Sequence, residues 1–158
     1  MKRWTKLALS GASSMAIAGA LAMHFEGHSN DAYPDMGGVF TICYGHTAGV
    51  RPHQHATDAE CQAFLRRDLA SADAQVQRVT QGRHMPVPVR AAFDDFVFNE
   101  GIGHFARSQT FRRFMSGDLP GACDALMDWT RVGNQARVPG LVQRRSAERT
   151  LCLEGAQR

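Results

Sequence analysis

The sequence predicts an α+β fold with two unequal lobes, a small N-terminal lobe built around a hairpin and a larger C-terminal lobe that is all helical. The turn-rich, β-branched stretch YPDMGGVFTICYGHT at residues 33–47 follows a first helical segment and is typical of a hairpin. Every later segment has helical periodicity rather than the alternation of a strand. The 158 residues suffice for one domain with a substantial core.

The chain begins with a cationic flank, MKRWTK, followed by an uncharged stretch at residues 7–23. As a helix this stretch would reach roughly 26 Å, slightly less than the roughly 30 Å hydrocarbon core of a bilayer. It contains few strongly apolar residues, so membrane insertion should be marginal, and the cationic flank predicts a cytoplasmic N-terminus with the body outside. We therefore expect residues 1–23 to form a helical anchor and residues 24–158 to form the globular domain.

Three interpretations of this N-terminal segment are open. A cleavable signal peptide would be cut at Ala20-Leu21-Ala22, but the cut would leave Glu26 close to a frayed chain end. A permanent anchor would be expected to contain more Leu, Ile and Val. We favour a weak anchor that can leave the membrane.

The body is expected to begin with a continuation of the first helix through residues 23–30, which ends at the sequence SND. The hairpin follows, and its turn contains Pro34, Asp35 and a Gly-Gly pair. Thr57, with Glu60 three positions later, forms a capping box that opens a long amphipathic helix. Apolar residues at helical spacing extend that helix to Val79.

The C-terminal half is predicted to be entirely helical. A break at residues 81–88 precedes an apolar, Phe-rich helix at 89–99. Two shorter helices are predicted at 108–118 and 119–130, the second with a proline near its start. A terminal helix covers residues 139–155, with Gly155 as its stop.

The charge balance argues against a nucleic-acid-binding protein. The formal net charge is +3, but Lys2, Arg3 and Lys6 supply all of it, because residues 24–158 carry 15 arginines and 15 acidic residues. A nucleic-acid-binding domain usually shows a clear excess of basic residues. We expect a monomer with no nucleic-acid partner.

Two carboxylates near the start of the body suggest acid–base chemistry. Glu26 belongs to the first helix, and Asp35 lies in the turn that follows. Cleavage of a glycosidic bond requires one protonated acid for the leaving oxygen and one charged carboxylate that acts on water or on the sugar. Thr41, in the hairpin, could hold a water beside Asp35. Because this spacing is common in proteins, it makes glycosidase activity a hypothesis only.

The residues around this pair resemble the active-site motif of phage-type lysozymes, glycoside hydrolase family 24. In that motif Glu, eight residues, Asp, five residues and Thr are followed by Gly-His, and Glu26, Asp35, Thr41 and Gly45-His46 occupy these positions. Segments further along the chain, such as FVFNEGIGHFARSQTFRRF and GLVQRRSAERTLCL, look like the endolysin subgroup found in tailed phages of Gram-negative hosts.

The resemblance implies a lysozyme-like fold and a muramidase that hydrolyses the β-1,4 bond between N-acetylmuramic acid and N-acetylglucosamine in peptidoglycan, for host cell lysis. Glu26 would be the general acid, Asp35 the base and Thr41 the residue that holds water. An inverting reaction would place the two carboxyl groups roughly 6.5 to 9.5 Å apart. A lytic transglycosylase that acts on the same bond is the alternative, since it needs only one catalytic acid. No cofactor is expected.

The resemblance also implies that residues 1–23 are a signal-anchor-release segment. Residues 7–23 would hold the protein, inactive, in the host inner membrane, with the body in the periplasm. A holin would act indirectly by depolarising the membrane, after which the enzyme becomes soluble in the periplasm. Because Glu26 lies three residues after this stretch, release would let Glu26 reach its place in the cleft.

Other residues are candidates for structural or binding roles. His46 is expected to pair with a carboxylate such as Asp68 on the next helix. Phe98 and Asn99, beside a Gly-rich loop, are candidates for sugar binding, since carbohydrate sites use aromatic faces.

No metal site is expected. His24 and His28 flank Glu26, but a zinc hydrolase would need a third ligand and usually a Glu directly after the first His. Arg144 and Arg145 are expected to form ion pairs on the surface of the terminal helix.

The four cysteines, Cys43, Cys61, Cys123 and Cys152, belong to a body that is expected to lie outside the cytoplasm. An even number there suggests two disulfides, and the sequence allows three pairings. We favour Cys43 with Cys61, hairpin to helix, and Cys123 with Cys152, helix to helix. Four buried thiols are the alternative.

Overall fold

The computed structural model describes residues 3–35, 37–133 and 136–157. In chain order the elements are α1 (Arg3–Leu9), α2 (Ser14–Phe25), β1 (Ser29–Pro34), β2 (Phe40–Cys43), α3 (Asp58–Val79), α4 (Val87–Glu100), α5 (Ile102–Arg107), α6 (Gln109–Met115), α7 (Leu119–Asp124), a 3-10 turn (Ala125–Asp128) and α8 (Pro139–Ala156). The strands form an antiparallel hairpin in which Tyr33 lies opposite Thr41. This confirms the predicted α+β organisation, with a small hairpin lobe and a larger helical lobe.

The N-terminal segment differs from the single anchor helix that the sequence suggested, because it forms two helices that pack on the body. Gly11, with a φ of +76°, lies in the break between them, and the Ser13 side chain caps α2 by accepting a hydrogen bond from the Ala16 amide at 3.3 Å. Their apolar side chains Trp4, Ala8, Ile17 and Leu21 are buried in the main core. Within the described residues, no helix is both long enough and apolar enough to cross a membrane.

The α2 helix ends earlier than the predicted limit at Asn30. Its last residue is Phe25, and Gly27 adopts a φ of +71°, a left-handed conformation that commonly ends helices. Residues 29–34 form β1 instead. Asn30 lies in this strand, and its side chain donates to the Ala56 carbonyl at 2.8 Å, which ties the strand to the loop before α3.

The α3 helix confirms the prediction from its capping box. It covers Asp58–Val79, and the Thr57 amide donates to Glu60 Oε2 at 2.7 Å while the Glu60 amide donates to the Thr57 hydroxyl. It contacts both β2 and α4, so this helix connects the two lobes.

The large lobe is organised around α4, against which α2, α3 and α8 all pack. Two details of this lobe differ from the sequence predictions. Residues 102–107, which lie between two predicted helices, form a further helix, α5, which buries Phe105 against Phe93. Gly155 does not stop α8, which continues to Ala156, and its role is close packing: a Cβ there would lie 3.0 Å from Val89 Cγ2.

Two disulfides are present, and both confirm the favoured pairing. Cys43 of β2 is joined to Cys61 of α3, with a Cα–Cα distance of 5.0 Å. Cys123 of α7 is joined to Cys152 of α8, with a Cα–Cα distance of 5.5 Å. The first bond fastens the hairpin to the connecting helix, and the second lies within the large lobe.

Candidate active site

A cleft of about 340 Å³ lies between the hairpin lobe and the helical lobe. Its walls come from the end of α2, the loop after β2, the middle of α3 and the end of α4. The lining residues are Glu26, Gly45, His46, Thr47, Ala48, Asp68, Ser71, Ala72, Gln75, Val97, Phe98, Asn99 and Gly101. Of the predicted site residues, Glu26, His46, Asp68, Phe98 and Asn99 therefore share one cavity.

Glu26 is the residue that directly follows α2, and its amide donates to the Ala22 carbonyl at 2.9 Å. Its side chain is 22% exposed and accepts a hydrogen bond from Arg144 Nη1. Opposite it, Gly45 has a φ of +85°, and a Cβ there would lie 3.3 Å from Glu26 Oε2. Glycine at position 45 therefore satisfies a backbone requirement and leaves room for the carboxyl group.

Arg144 is buried, so the prediction of a surface ion pair is wrong. Its Nε and Nη2 donate to the two Asp95 oxygens at 3.0 and 2.8 Å, and its guanidinium carbon lies 5.8 Å from the Phe25 ring centre. Burial by itself would lower the pKa of Arg144, but the charges of Asp95, Glu26 and Glu148 raise it above its ordinary value. Arg144 is a fixed cation that joins α8 to the end of α2.

Arg145 is also buried, and it contacts Asn99, which lines the cleft. It donates to Glu148 and to the Asn99 side chain, and its Nη2 lies 3.0 Å from Glu100 Oε1. Burial raises the pKa of Glu148 well above its ordinary value, Arg145 opposes this shift, and Asp95 adds to it. Asn99, a candidate for sugar binding, is thus held in place by Arg145 at the edge of the cleft.

Sequence reasoning could have located these two arginines. Buried positions on α8 follow a stripe at helical spacing, namely Arg144, Arg145, Ala147, Glu148, Leu151, Cys152 and Gly155. Charged residues on the stripe of a helix that faces the core indicate buried ion pairs rather than surface ones. The pattern alone does not identify Asp95 and Glu26 as the partners, because they are distant in sequence.

Asp35 and Thr41 belong to the hairpin. Neither is among the described residues that line the cleft containing Glu26. Asp35 is exposed in the turn, and its Oδ1 accepts hydrogen bonds from the Gly37 and Val39 amides at 2.8 and 2.9 Å. Thr41 is buried in β2, and its hydroxyl donates to the Val39 carbonyl at 3.2 Å. Val39 therefore links both side chains at one end of the hairpin.

His46 and Asp68 form one wall of the cleft. His46 Nδ1 lies 2.7 Å from Asp68 Oδ2, and its Nε2 lies 3.0 Å from the Ala48 carbonyl oxygen. The imidazole also stacks on Phe64, with ring centres 4.4 Å apart. These contacts fix the loop after β2 against α3.

The other histidines near Glu26 make ring contacts. His24 packs on Trp4 at 4.9 Å, whereas His28 stacks on Tyr44 at 4.8 Å. In the part of the chain that the structure describes, no group of three or more His, Cys, Asp or Glu residues is arranged to hold a metal ion.

Comparison with known proteins gives a family match and close relatives. The family model described as phage lysozyme matches residues 23–148. The chain is 40% identical over 133 residues to the SAR-endolysin of bacteriophage PS119, which covers 84% of this chain and 78% of that protein. The matched residues include the whole cleft.

Solved structures show the same fold. The muramidase domain of SpmX from Asticaccaulis excentricus superposes with a TM-score of 0.79 at 29% identity, over 86% of this chain and 94% of that one. The active form of the P1 phage endolysin Lyz superposes with a TM-score of 0.80 at 25% identity, over 97% of this chain and 93% of that one.

Proposed function

This chain belongs to the phage lysozyme family and is an enzyme that hydrolyses peptidoglycan, and on that premise we propose that it cleaves the β-1,4 bond between N-acetylmuramic acid and N-acetylglucosamine. The observation that carries the proposal is the position of Glu26. Its carboxyl group faces the cleft between the lobes, beside Gly45, and a buried arginine holds it there. The substrate would be a glycan strand lying along the cleft.

Glu26 acts as the general acid in this proposal, and Asp35 acts as the base. Protonation of the leaving oxygen by one carboxyl group, with activation of water by a second, is the chemistry of an inverting glycosidase. Thr41 is the residue proposed to hold that water, since it shares the Val39 backbone with Asp35. Phe98 and Asn99 line the same cavity as Glu26 and are proposed to bind sugar.

Product analysis on purified peptidoglycan tests these roles. We expect Glu26→Gln and Asp35→Asn each to lower the rate by roughly 10²-fold or more, as is usual when a positioned acid or base is removed. Asp31→Asn is the matched control, because this exposed carboxylate of β1 pairs with His55 rather than facing the cleft.

The product distinguishes the mechanisms. Hydrolysis with inversion releases the α-anomer of the new reducing end, which proton NMR detects before mutarotation. A β-anomer would contradict inversion. An anhydro-muramic acid product, with activity that survives Asp35→Asn, would mean that the enzyme is a lytic transglycosylase.

The N-terminal segment is proposed to tether the enzyme before lysis. Residues 7–23 carry no charge and follow a cationic flank, and the phage PS119 relative is described as a SAR-endolysin. In this proposal residues 7–23 lie in the host inner membrane with the N-terminus cytoplasmic and the body periplasmic. Depolarisation of the membrane by a holin then releases a soluble periplasmic enzyme.

Tethering would inactivate the enzyme because the same residues are needed inside the fold. Ile17 and Leu21 are fully buried against the body, and Glu26 follows their helix directly. A helix that lies in a bilayer cannot also pack on α4, so Glu26 would lose its contact with Arg144. The active form of the P1 phage endolysin, which this fold matches over nearly its whole length, supports assigning the packed arrangement to the released state.

A comparison of the two states tests the tether. The protein is inserted into vesicles, and its rate on peptidoglycan fragments is measured before and after release, with Glu26→Gln as the inactive control. We expect near-background activity in the membrane fraction and full activity in the released fraction. Equal rates per molecule in both fractions would contradict the proposal.

A further inference from the structure

A buried cluster of charges connects Glu26 to the centre of the large lobe. We call it the α4–α8 charge cluster, and its members are Glu26, Asp95, Glu100, Arg144, Arg145 and Glu148. The side chains of Asp95, Glu148 and Arg145 have no exposed surface, and that of Arg144 is 3% exposed. The cluster thus has more carboxyl groups than guanidinium groups, and they compete for the same cations.

Arg144 divides its hydrogen bonds unequally between two of these carboxyl groups. Asp95 takes two of them, at Nε and Nη2, in a side-on bidentate pair. Glu26 takes one, at Nη1. The guanidinium is also confined by aromatic rings, with its central carbon 6.0 Å from the Phe98 ring centre, so it has little freedom to turn towards either carboxyl group.

We propose that Asp95 is a positioning residue for the reaction. By neutralising Arg144, Asp95 determines how readily Glu26 keeps its proton. The inference rests on the proposed role of Glu26 as the general acid. A cation next to a carboxyl group favours the charged form, typically by one to three pH units. An acid that must donate a proton at neutral pH would be impaired by a guanidinium that has no other partner, and Asp95 supplies that partner.

The surrounding groups leave Asp95 as the main competitor for Arg144. Glu148 lies 3.6 Å from Arg144 Nε, but both of its carboxyl oxygens accept hydrogen bonds from Arg145 Nη1. The other titratable groups nearby have partners of their own. His46 pairs with Asp68 in the wall of the cleft, and Glu100 pairs with both Arg145 of α8 and His104 of α5.

The pH dependence of the initial rate on peptidoglycan tests the inference. With Asp95→Asn, Arg144 keeps its charge, and Glu26 becomes the one carboxylate among the described residues that accepts a hydrogen bond from it. We expect the alkaline limb of the pH–rate profile to move to lower pH by about one unit, with a roughly tenfold loss on that limb. The rate on the acid side should change little, and the loss should appear in kcat rather than KM.

Asp94→Asn is the matched control. Asp94 is the neighbouring residue on α4, is equally buried, and faces Ser14 and Asp73 rather than Arg144. We expect its alkaline limb to coincide with that of the wild type.

Several outcomes would overturn the inference. A uniform loss of rate at every pH for Asp95→Asn would show a merely structural role, and an unmoved alkaline limb would show no role in acidity. If Asp95→Asn does not fold, Asp95→Glu decides, because it keeps a carboxylate beside Arg144 and should leave the alkaline limb where it is in the wild type; a limb that moves in Asp95→Glu would contradict the inference. Activity that survives Glu26→Gln would instead refute the proposed function itself.

Discussion

Among the residues, Asp94 is a buried carboxyl group whose protonation affects the stability of the fold. Its side chain has no exposed surface, and neither carboxyl oxygen has a hydrogen-bond partner among the described residues. Burial raises the pKa of Asp94 to about 8, and the nearby Asp73 charge adds to the shift while the Arg90 charge opposes it. The carboxyl group is therefore largely protonated at pH 7, next to the first residue of α2.

We expect stability to fall with rising pH because of Asp94. The folded state holds this proton up to about pH 8, whereas an unfolded Asp with the ordinary pKa of 3.8 has lost it, so the folded state binds more protons between these values. The free energy of unfolding should be unaffected below the lower value and should decrease by up to about 1.4 kcal/mol per pH unit between them.

Asp94→Asn should remove this slope, because an amide does not titrate. Urea unfolding at several values from about pH 4 to about pH 8 should show the free energy of unfolding of the variant rising relative to that of the wild type as the pH rises. Parallel stability curves for the two proteins would contradict the assigned protonation. The comparison also fixes the range in which the Asp94→Asn control for activity is free of stability effects.

At the same scale, the sequence located the motif residues but not their partners. Glu26, Asp35 and Thr41 could be assigned because their spacing is local and matches a known motif. The buried contact of Arg144 with Asp95 joins residues 49 positions apart, and no local pattern specifies such a distance. The position of Glu26 in a cleft, and of Asp35 at its exposed turn, likewise depends on how the lobes pack.

Among the elements, the break between α1 and α2 is what allows the N-terminal segment to fold back. Gly11 has a φ of +76° in this break, and a Cβ there would meet nothing within 4 Å. A continuous helix through residues 7–23, as the proposed membrane-held state requires, would instead place this glycine inside a helix. The two states therefore demand different backbone conformations at one position.

Gly11→Ala should favour the membrane-held state. Alanine costs about 1 kcal/mol in a left-handed conformation and gains about 1 kcal/mol over glycine within a helix, and both effects favour the continuous helix. We expect a larger fraction of the variant to sediment with membranes after depolarisation, and lysis to be delayed. Gly49→Ala is the control, because Gly49 also has a left-handed φ, +72°, with open space around it, but lies in the small lobe. Equal membrane fractions for the two variants would refute the effect.

Elements with local signals were predictable, and elements defined by packing were not. The capping box sets the start of α3 within a few residues. By contrast, β1 is held by its pairing with β2 and by the contact of Asn30 with the loop before α3, and α5 is stabilised by the burial of Phe105 among other aromatic rings. Gly155 resembled a helix stop, yet its contact is with Val89 of another helix.

For the whole molecule, the two disulfides stabilise different parts of the fold: one joins the hairpin to α3, and the other joins α7 to α8 within the large lobe. The Cys43–Cys61 bond closes a separation of 18 residues and the Cys123–Cys152 bond one of 29. Loop-closure entropy predicts about 3 kcal/mol of stabilisation from each, with only a slight advantage for the longer loop. The shorter loop contains the segment after β2 that forms a wall of the cleft.

Removing the bonds separately should separate stability from activity. Cys43→Ala with Cys61→Ala, and Cys123→Ala with Cys152→Ala, should each lower the free energy of unfolding by about 3 kcal/mol. The first pair should also reduce the rate at temperatures where the protein is still folded, because it loosens the loop that carries Gly45 and His46. Similar activity losses in both double variants would contradict this division, and reduced wild-type protein provides the reference.

The packing of α1 and α2 has a practical consequence for anyone producing this enzyme. The family match begins at residue 23, and a gene trimmed to that limit would look complete by sequence comparison. It would nevertheless lack Trp4, Ala8, Ile17 and Leu21, all of them core residues, and would leave uncovered the face of α4 that packs on α2. A product that lacks α1 and α2 should therefore be prone to aggregation.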